Sequence, residues 1–372
     1  MKSKDYDSLY KMLVDKIETD ISSSRYEIGD KYLSVRGLAR KYKVSLITSV
    51  KAVEELCAKG ILQSRERSGL FVAKVPLLEP LHIHYLIKRD TEKLYISPFH
   101  AEIIAGARQK LLENNCNDSN FHLTPFNAES KNPEQELRSL LSGHKTPMAI
   151  FAGRFSPGIP QALKNIGVPF VMTGTYRKNE GLKLIKSDAF DGTIKIIENL
   201  RELGHSKILY LRRELPEKTN MVDPRADAVL FAKSKYKGLK FTLRKIKGMR
   251  FEDGLKIGAQ IIQLVKEKRI TAIMAYNDDT AVGVMHALHD KGFSIPEDIS
   301  IVGYDDFPIA RQIYPPLTTI KCDRFQMGKI AVQTLLDFYN GKEISHSLEL
   351  LPDEIILRKS ACPPQGKKSK TK

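Results

Sequence analysis

At 372 residues the chain is too long for one ordinary domain, and its 42% hydrophobic and 28% charged residues suit two or three folded, water-facing units. No run reaches the ~18 apolar residues of a membrane span, and the polar start, Met1 to Asp7, lacks the apolar stretch of a secretion signal. A cytoplasmic protein with no membrane partner is therefore expected. The formal net charge of +16 at pH 7 favours polyanionic partners through phosphate contact and counterion release.

Residues 7–21 carry Leu9, Leu13, Ile17 and Ile21 at four-residue steps, which predicts a first helix with one apolar face. Ser34 is the expected N-cap of a short second helix running to Lys41. After a turn at Tyr42-Lys43-Val44, Ser45 caps a third helix that runs to Lys59, with Val53 and Leu56 inward and Gly60 at its end. Ile61 to Ser64 and Leu70 to Ala73 read as two strands joined by the tight loop Arg65-Glu66-Arg67-Ser68-Gly69. Helix, helix-turn-helix and basic hairpin, in that order, predict a winged helix. Its third helix would enter the major groove of double-stranded DNA, and its hairpin tip would reach a neighbouring phosphate or the minor groove. Within residues 1–75 Lys and Arg number 15 against 10 for Asp and Glu, which agrees with that role.

The pattern Tyr26-x-x-Gly29-Asp30, Ser34-x-Arg36-x-Leu38-Ala39, Val44-Ser45, Ala52-x-x-x-Leu56-x-x-x-Gly60 and Gly69-x-Phe71-Val72 resembles the GntR-family DNA-binding domain over about 70 residues. The resemblance implies DNA contacts from Arg36, Ser45, Thr48 and the wing residues Arg65, Arg67 and Gly69. Leu46 and Val50 stand where the family usually has arginine, and Leu33 replaces a common proline. Either the operator differs from the common one, or the contacts fall to Lys43, Thr48, Ser49 and Lys51.

Strand-like runs then alternate with helical ones. Strands are predicted at Leu81–Ile87, Ala149–Phe151, Phe170–Met172, Ile208–Tyr210, Ala272–Ala275 and Ile299–Val302. Helices are predicted at Ala101–Glu113, Gln135–Leu141, Phe190–Leu203, Asp227–Ser234, Phe251–Lys266, Asp279–Lys291 and Arg324–Asn340. Such alternation means parallel sheets with helices on both faces, and some 280 residues call for two lobes. Two strands end in polar residues, Asn277-Asp278 and Asp305-Asp306, at the carboxyl ends where open α/β sheets bind ligands.

These strand ends, with Gly204-His205-x-x-Ile208, Pro315-Pro316-Leu317-Thr318-Thr319-Ile320, Gly328-x-x-Ala331 and Leu357-Arg358-x-Ser360, resemble the effector domain of the LacI/GalR family, a relative of periplasmic sugar-binding proteins. The resemblance is strong from Asp188 to Ala361 and fainter from Leu81 to Met172. It implies a sugar in the cleft between the lobes, held by Arg225, Asn277 and Asp305, with Asp191 from the first lobe and Phe99 as an aromatic platform. Planar bidentate groups beside an apolar face suit a monosaccharide. Bland alternatives remain: helix caps or turns for Asp188, Asp278 and Asp306, packing for His205 and Phe99, and a surface ion pair for Arg225.

The expected architecture is α/β: a winged helix-turn-helix domain at 1–77, a linker at 78–81 and a two-lobed parallel α/β, periplasmic-binding-protein-like domain at 82–362. Lobe 1 is expected to hold 82–203 and 322–343, and lobe 2 to hold 204–321 and 344–362. Crossings between them fall near Leu203–His205, Ile320–Asp323 and Gly341–Ser345, and 363–372 form a disordered basic tail. A GntR-type head on a LacI-type body resembles the arabinose-repressor type of hybrid regulator. That implies a homodimer bound to double-stranded operator DNA and released by an arabinose- or fucose-like monosaccharide effector. A sugar-dependent activator or co-repressed regulator, and a non-regulatory sugar-binding protein, are the alternatives. No GxSxG, HExxH or P-loop sits on a suitable turn, so no enzyme, catalytic residue or cofactor is expected. Cys57, Cys116, Cys322 and Cys362 form no CxxC pair, and no metal site is expected.

Overall fold

The computed structural model describes residues 3–23, 26–65, 68–73, 81–88, 96–114, 116–127, 130–144, 146–152, 158–174, 182–214 and 223–365. The expected linker therefore lies outside the described residues apart from Leu81, as does most of the basic tail.

The head consists of α1 (Ser3–Ser23), α2 (Val35–Tyr42), α3 (Leu46–Ala58) and the antiparallel hairpin β1 (Leu62–Arg65) and β2 (Gly69–Val72). Leu13, Val14, Ile17 and Ile21 of α1 pack on Leu38, Val53 and Leu56 in one core that Leu62, Leu70 and Val72 close from the wing. Leu9, expected on the same face, is exposed. Four-residue steps overshoot a 3.6-residue turn and drift around the helix, so Val14 lies on the buried face and Leu9 off it.

The body begins with β3 (His82–Lys88), α4 (Pro98–Glu113), β4 (Phe121–Phe126), α5 (Pro133–Leu141), β5 (Pro147–Ala152), α6 (Gly158–Asn165), β6 (Phe170–Thr173) and β7 (Leu184–Ser187). It continues with α7 (Ala189–Glu202), β8 (Lys207–Arg213), α8 (Pro224–Lys235), β9 (Lys240–Ile246), α9 (Phe251–Lys268), β10 (Ala272–Met274), α10 (Asp278–His289) and β11 (Ser300–Val302). The chain closes with α11 (Pro308–Gln312), β12 (Thr319–Lys321), α12 (Arg324–Tyr339), β13 (Leu348–Leu351) and β14 (Glu354–Ile356).

Lobe 1 is a six-stranded sheet in the order β13-β7-β6-β5-β3-β4, and lobe 2 a four-stranded sheet in the order β11-β10-β8-β9. All pairings within both are parallel. Helices cover both faces, so successive side chains along a strand are buried on opposite sides. Ile83, Tyr85 and Ile87 of β3 join α4 and α12, whereas Leu86 joins α5 and α6. In lobe 2, Leu209 and Leu211 join α9 and α10, whereas Ile208 and Tyr210 join α7 and α8. Helices α4 and α12 approach until a Cβ on Gly106 or Gly328 would collide with the other helix's backbone, at Phe325 and Ile103 respectively. Only glycine permits that spacing.

Two of the three expected crossings move. Ile196, Ile197 and Leu200 of α7 pack on β8 and α8, so α7 belongs to lobe 2 and the first crossing is at Asp188, not Leu203–His205. The second crossing lies between β12 and α12. The third is not at Gly341–Ser345: β13 pairs in parallel with β7 of lobe 1, and β14 pairs with β12, so the chain crosses at Pro352–Asp353.

Candidate functional site

On the head, Ser34 and Ser45 are the N-caps. Their Oγ atoms accept from the backbone N–H of Gly37 at 3.2 Å and of Thr48 at 3.0 Å. Lys43 takes the left-handed conformation between the two helices, with φ of 53°. Arg36, Lys43 and Ser45 are exposed. Thr48 and Ser49 are a correction, for both are buried at 1% and 0% exposure. Their hydroxyls are spent on the cap, Thr48 Oγ1 lying 2.7 Å from Ser45 Oγ and Ser49 Oγ donating to the Ser45 carbonyl. The large apolar residues that α3 presents outward are Leu46, Ile47 and Val50, exposed by 49%, 72% and 41%. Lys51 lies with its ammonium 4.0 Å from the centre of the Tyr10 ring. On the wing, the Arg65 guanidinium stacks over Phe71 at 4.3 Å, opposite Gly69 with φ of +107°. Arg67 lies outside the described residues.

In the body, a narrow cavity open to solvent lies between the lobes at the carboxyl ends of their strands. Phe99, Lys186, Ser187, Met327 and Gly174 line it from lobe 1, Arg225 and Asp305 from lobe 2, and Cys322 and Arg324 from the second crossing. Of the five expected sugar contacts the structure brings three together here: Phe99, Arg225 and Asp305.

Asp305 is at the centre. It has φ of +110°, a region disfavoured for a residue with a side chain. Its carboxylate accepts from Arg324 at 2.6 Å and faces Arg225 at 3.7 Å. Arg225, 5% exposed, stacks on the Tyr304 ring at 3.6 Å and donates to the Tyr276 carbonyl. Beneath the loop, Asp278 is fully buried and accepts from the Phe307 N–H and the Thr319 hydroxyl at 2.7 and 2.5 Å. Burial, and then the neighbouring Asp305, push its pKa well above the ordinary carboxylate range. A Cβ at Gly303 would strike the Asp278 carboxylate, so a glycine lets this strap cross it. Lys186 is held below its ordinary value by burial, against the pull of Asp188.

Asn277 and Asp191 are not brought to the cavity. Asn277 caps α10: its Oδ1 accepts from the Thr280 N–H, and its Nδ2 donates to the Met249 carbonyl. Asp191 pairs with Lys195 one turn along α7 and leaves 47% of its side chain exposed. Asp188 is the N-cap of α7, Asp306 pairs with Arg358, and His205 bridges Thr271 Oγ1 and the Cys362 carbonyl. Lys186 and Arg324 were missed by the sequence reading. Arg324 carried a signal, because it follows directly on the crossing at Ile320–Asp323.

A winged helix joined to a two-lobed body with an interlobe cavity defines a ligand-responsive class of DNA-binding transcription regulator. Residues 9–72 match the model of the bacterial regulatory proteins of the gntR family, and residues 197–361 that of the periplasmic binding protein-like domain. The chain thus joins a GntR-type head to a LacI-type, periplasmic-binding-protein-like body. It is 24% identical over 366 residues to the arabinose metabolism transcriptional repressor of Geobacillus stearothermophilus, covering 94% of this chain and 97% of that one. It is 28% identical over 278 residues to the ribose operon repressor of Haemophilus influenzae, covering 71% and 77%. A solved structure of a LacI family transcriptional regulator from Enterococcus faecium with bound ribose superimposes with a TM-score of 0.62 at 26% identity, over 76% of this chain and 99% of that one. Among the described residues, no helix is long and apolar enough to cross a membrane.

Proposed function

We propose that the chain represses carbohydrate-utilisation genes as a homodimer on operator DNA and is released by a monosaccharide of the arabinose or fucose kind. The observation that carries this reading is the convergence of Phe99, Arg225 and Asp305 on one interlobe cavity. An aromatic face, a guanidinium and a carboxylate match the apolar and hydroxyl-bearing sides of a pyranose. Two heads on two half-sites gain affinity and palindromic specificity. A ligand that closes the lobes changes how the heads are held, and by linkage weakens DNA binding as much as DNA weakens its own.

A thermal-shift screen of the full chain against neutral monosaccharides and their phosphates tests the cavity, because a ligand of the folded state raises the melting temperature with the logarithm of its excess. A neutral pentose or deoxyhexose should raise it and lower affinity for operator DNA. Response to phosphorylated sugars alone would sink the neutral-sugar reading, and a sugar that tightens DNA binding would make the protein a co-repressed regulator or an activator.

The outward face of α3 suggests what the operator looks like. Leu46, Ile47 and Val50 offer no hydrogen bonds, and the group in the major groove that suits them is the C5-methyl of thymine. In an operator selected from random duplexes, replacing the contacted thymines by uracil removes only those methyls, each worth about 0.8 kcal/mol when buried. Affinity should fall on the order of tenfold with the salt dependence unchanged. Arg36→Ala should instead weaken binding to all sequences and reduce the salt slope by about one. Equal affinity for the thymine and uracil duplexes would remove α3 as a methyl reader.

A further inference from the structure

Four of the nine histidines of the chain, His82, His84, His122 and His144, meet at the amino-terminal ends of the lobe 1 strands. This is the end of the sheet opposite the interlobe cavity. His82 and His84 project from the same face of β3, His122 lies on β4 in register with His84, and His144 stands in the turn after α5. The rings are stacked: His82 on His144 at 3.8 Å between centroids, and His122 on His144 at 4.5 Å. Among the described residues, no carboxylate takes part in their hydrogen bonds. Burial first, and then the neighbouring imidazoles, lower the basicity of His82 and His122, and bring His84 down to about 3. A neutral imidazole offers a metal ion a lone pair rather than a charge.

We propose that His82, His122 and His144 form a binding site for one divalent transition-metal ion of the zinc type. One nitrogen from each of the three lies within 4.8 Å of the others. Tetrahedral zinc with bonds of about 2.0–2.1 Å to nitrogen sets ligand atoms roughly 3.3 Å apart, a spacing that small ring rotations reach. His82 Nδ1 and His122 Nε2 already lie 2.9 Å apart and share one proton. The metal takes the place of that proton, which moves to the far nitrogen of the same neutral ring.

His84 is a positioning residue. Its Nδ1 meets Thr124 Oγ1 at 2.9 Å and its Nε2 meets His144 Nδ1 at 3.1 Å. With His84 donating to Thr124 and accepting from His144 Nδ1–H, the Nε2 of His144 is left as an unprotonated ligand. A metal-bound histidine commonly hands its other N–H to such a partner. Three imidazoles leave a fourth position for a solvent molecule. His82 is the second described residue of the body, so the ion would tie edge strand β4 and the turn after α5 to the strand by which the chain enters lobe 1.

The test is a titration of tag-free, chelator-treated full-length protein with zinc and, as a spectroscopic probe, cobalt(II). One equivalent should bind, with the intense visible absorption of four-coordinate cobalt and a rise in melting temperature. His122→Ala and His144→Asn should each weaken binding at least about tenfold. His286→Ala, in the other lobe, should leave it unchanged. His144→Asn lies in a turn, and its metal-free melting temperature should match that of the parent, which separates loss of a ligand from loss of the fold. Absence of stoichiometric binding, a six-coordinate cobalt spectrum, or affinity unaltered by His122→Ala and His144→Asn would each overturn the site.

Discussion

Arg324→Leu should destabilise the body by about 3–5 kcal/mol, the usual cost of removing one partner from a buried ion pair. Arg324 is 1% exposed at the first turn of α12, where the helix dipole itself disfavours a cation. Burial also opposes its charge, and the Asp305 carboxylate, with Glu102, outweighs that cost and holds its pKa above the ordinary value. One nitrogen donates to Glu102 at 3.1 Å and to the Asp305 carbonyl at 2.9 Å, the other to the Asp305 carboxylate at 2.6 Å. Glu102 belongs to α4 of lobe 1 and Asp305 to lobe 2, so one side chain fastens both lobes and fixes a residue in a disfavoured conformation. At about 2–4 °C per kcal/mol for a unit of this size, the melting temperature should drop on the order of 10 °C. Arg324→Lys keeps the charge and loses the fork, so it should fall between. A leucine variant that melts with the parent would mean that other contacts hold the lobes and the loop.

The head was almost wholly legible in the sequence because its signals are local. Ser34 and Ser45 cap the helices they were expected to cap, and Gly69 stands at the turn of the wing. The inward turn of Thr48 and Ser49 was not legible, since a hydroxyl at the start of a helix serves DNA or its own cap equally well until the backbone is placed. In the body, long amphipathic helices and apolar strands declared themselves. Strands β4, β7, β9 and β13 did not, because pairing with neighbours defines them more than their own pattern does. The crossings depend on the same kind of information: β13 returns to lobe 1 only because its backbone finds β7, more than 150 residues earlier in the chain. The histidine cluster is gathered across strands, with His82 and His122 separated by 40 positions, so no spacing rule signals it.

Arg225→Ala should abolish the response to effector while leaving effector-free operator binding as it was. The guanidinium is stacked on Tyr304 and within reach of Tyr276, so its plane is fixed before a ligand arrives and little is lost in ordering it. Two charge-assisted hydrogen bonds to sugar hydroxyls are worth about 1.5–3 kcal/mol each. Their loss corresponds to at least about a hundredfold in affinity, since 1.4 kcal/mol is a factor of ten. The fold should survive the change, because Asp305 keeps its shorter pair with Arg324 while the one with Arg225 spans 3.7 Å. That difference separates the two arginines experimentally. The Arg324 variant should lose stability first and ligand binding as a consequence, whereas the Arg225 variant should melt within a few degrees of the parent and fail only in the ligand titration. Asp305→Asn should share the ligand defect, because an amide offers one acceptor oxygen where the carboxylate offers two. An Arg225→Ala protein that titrates with its sugar like the parent would place the effector somewhere other than between the lobes.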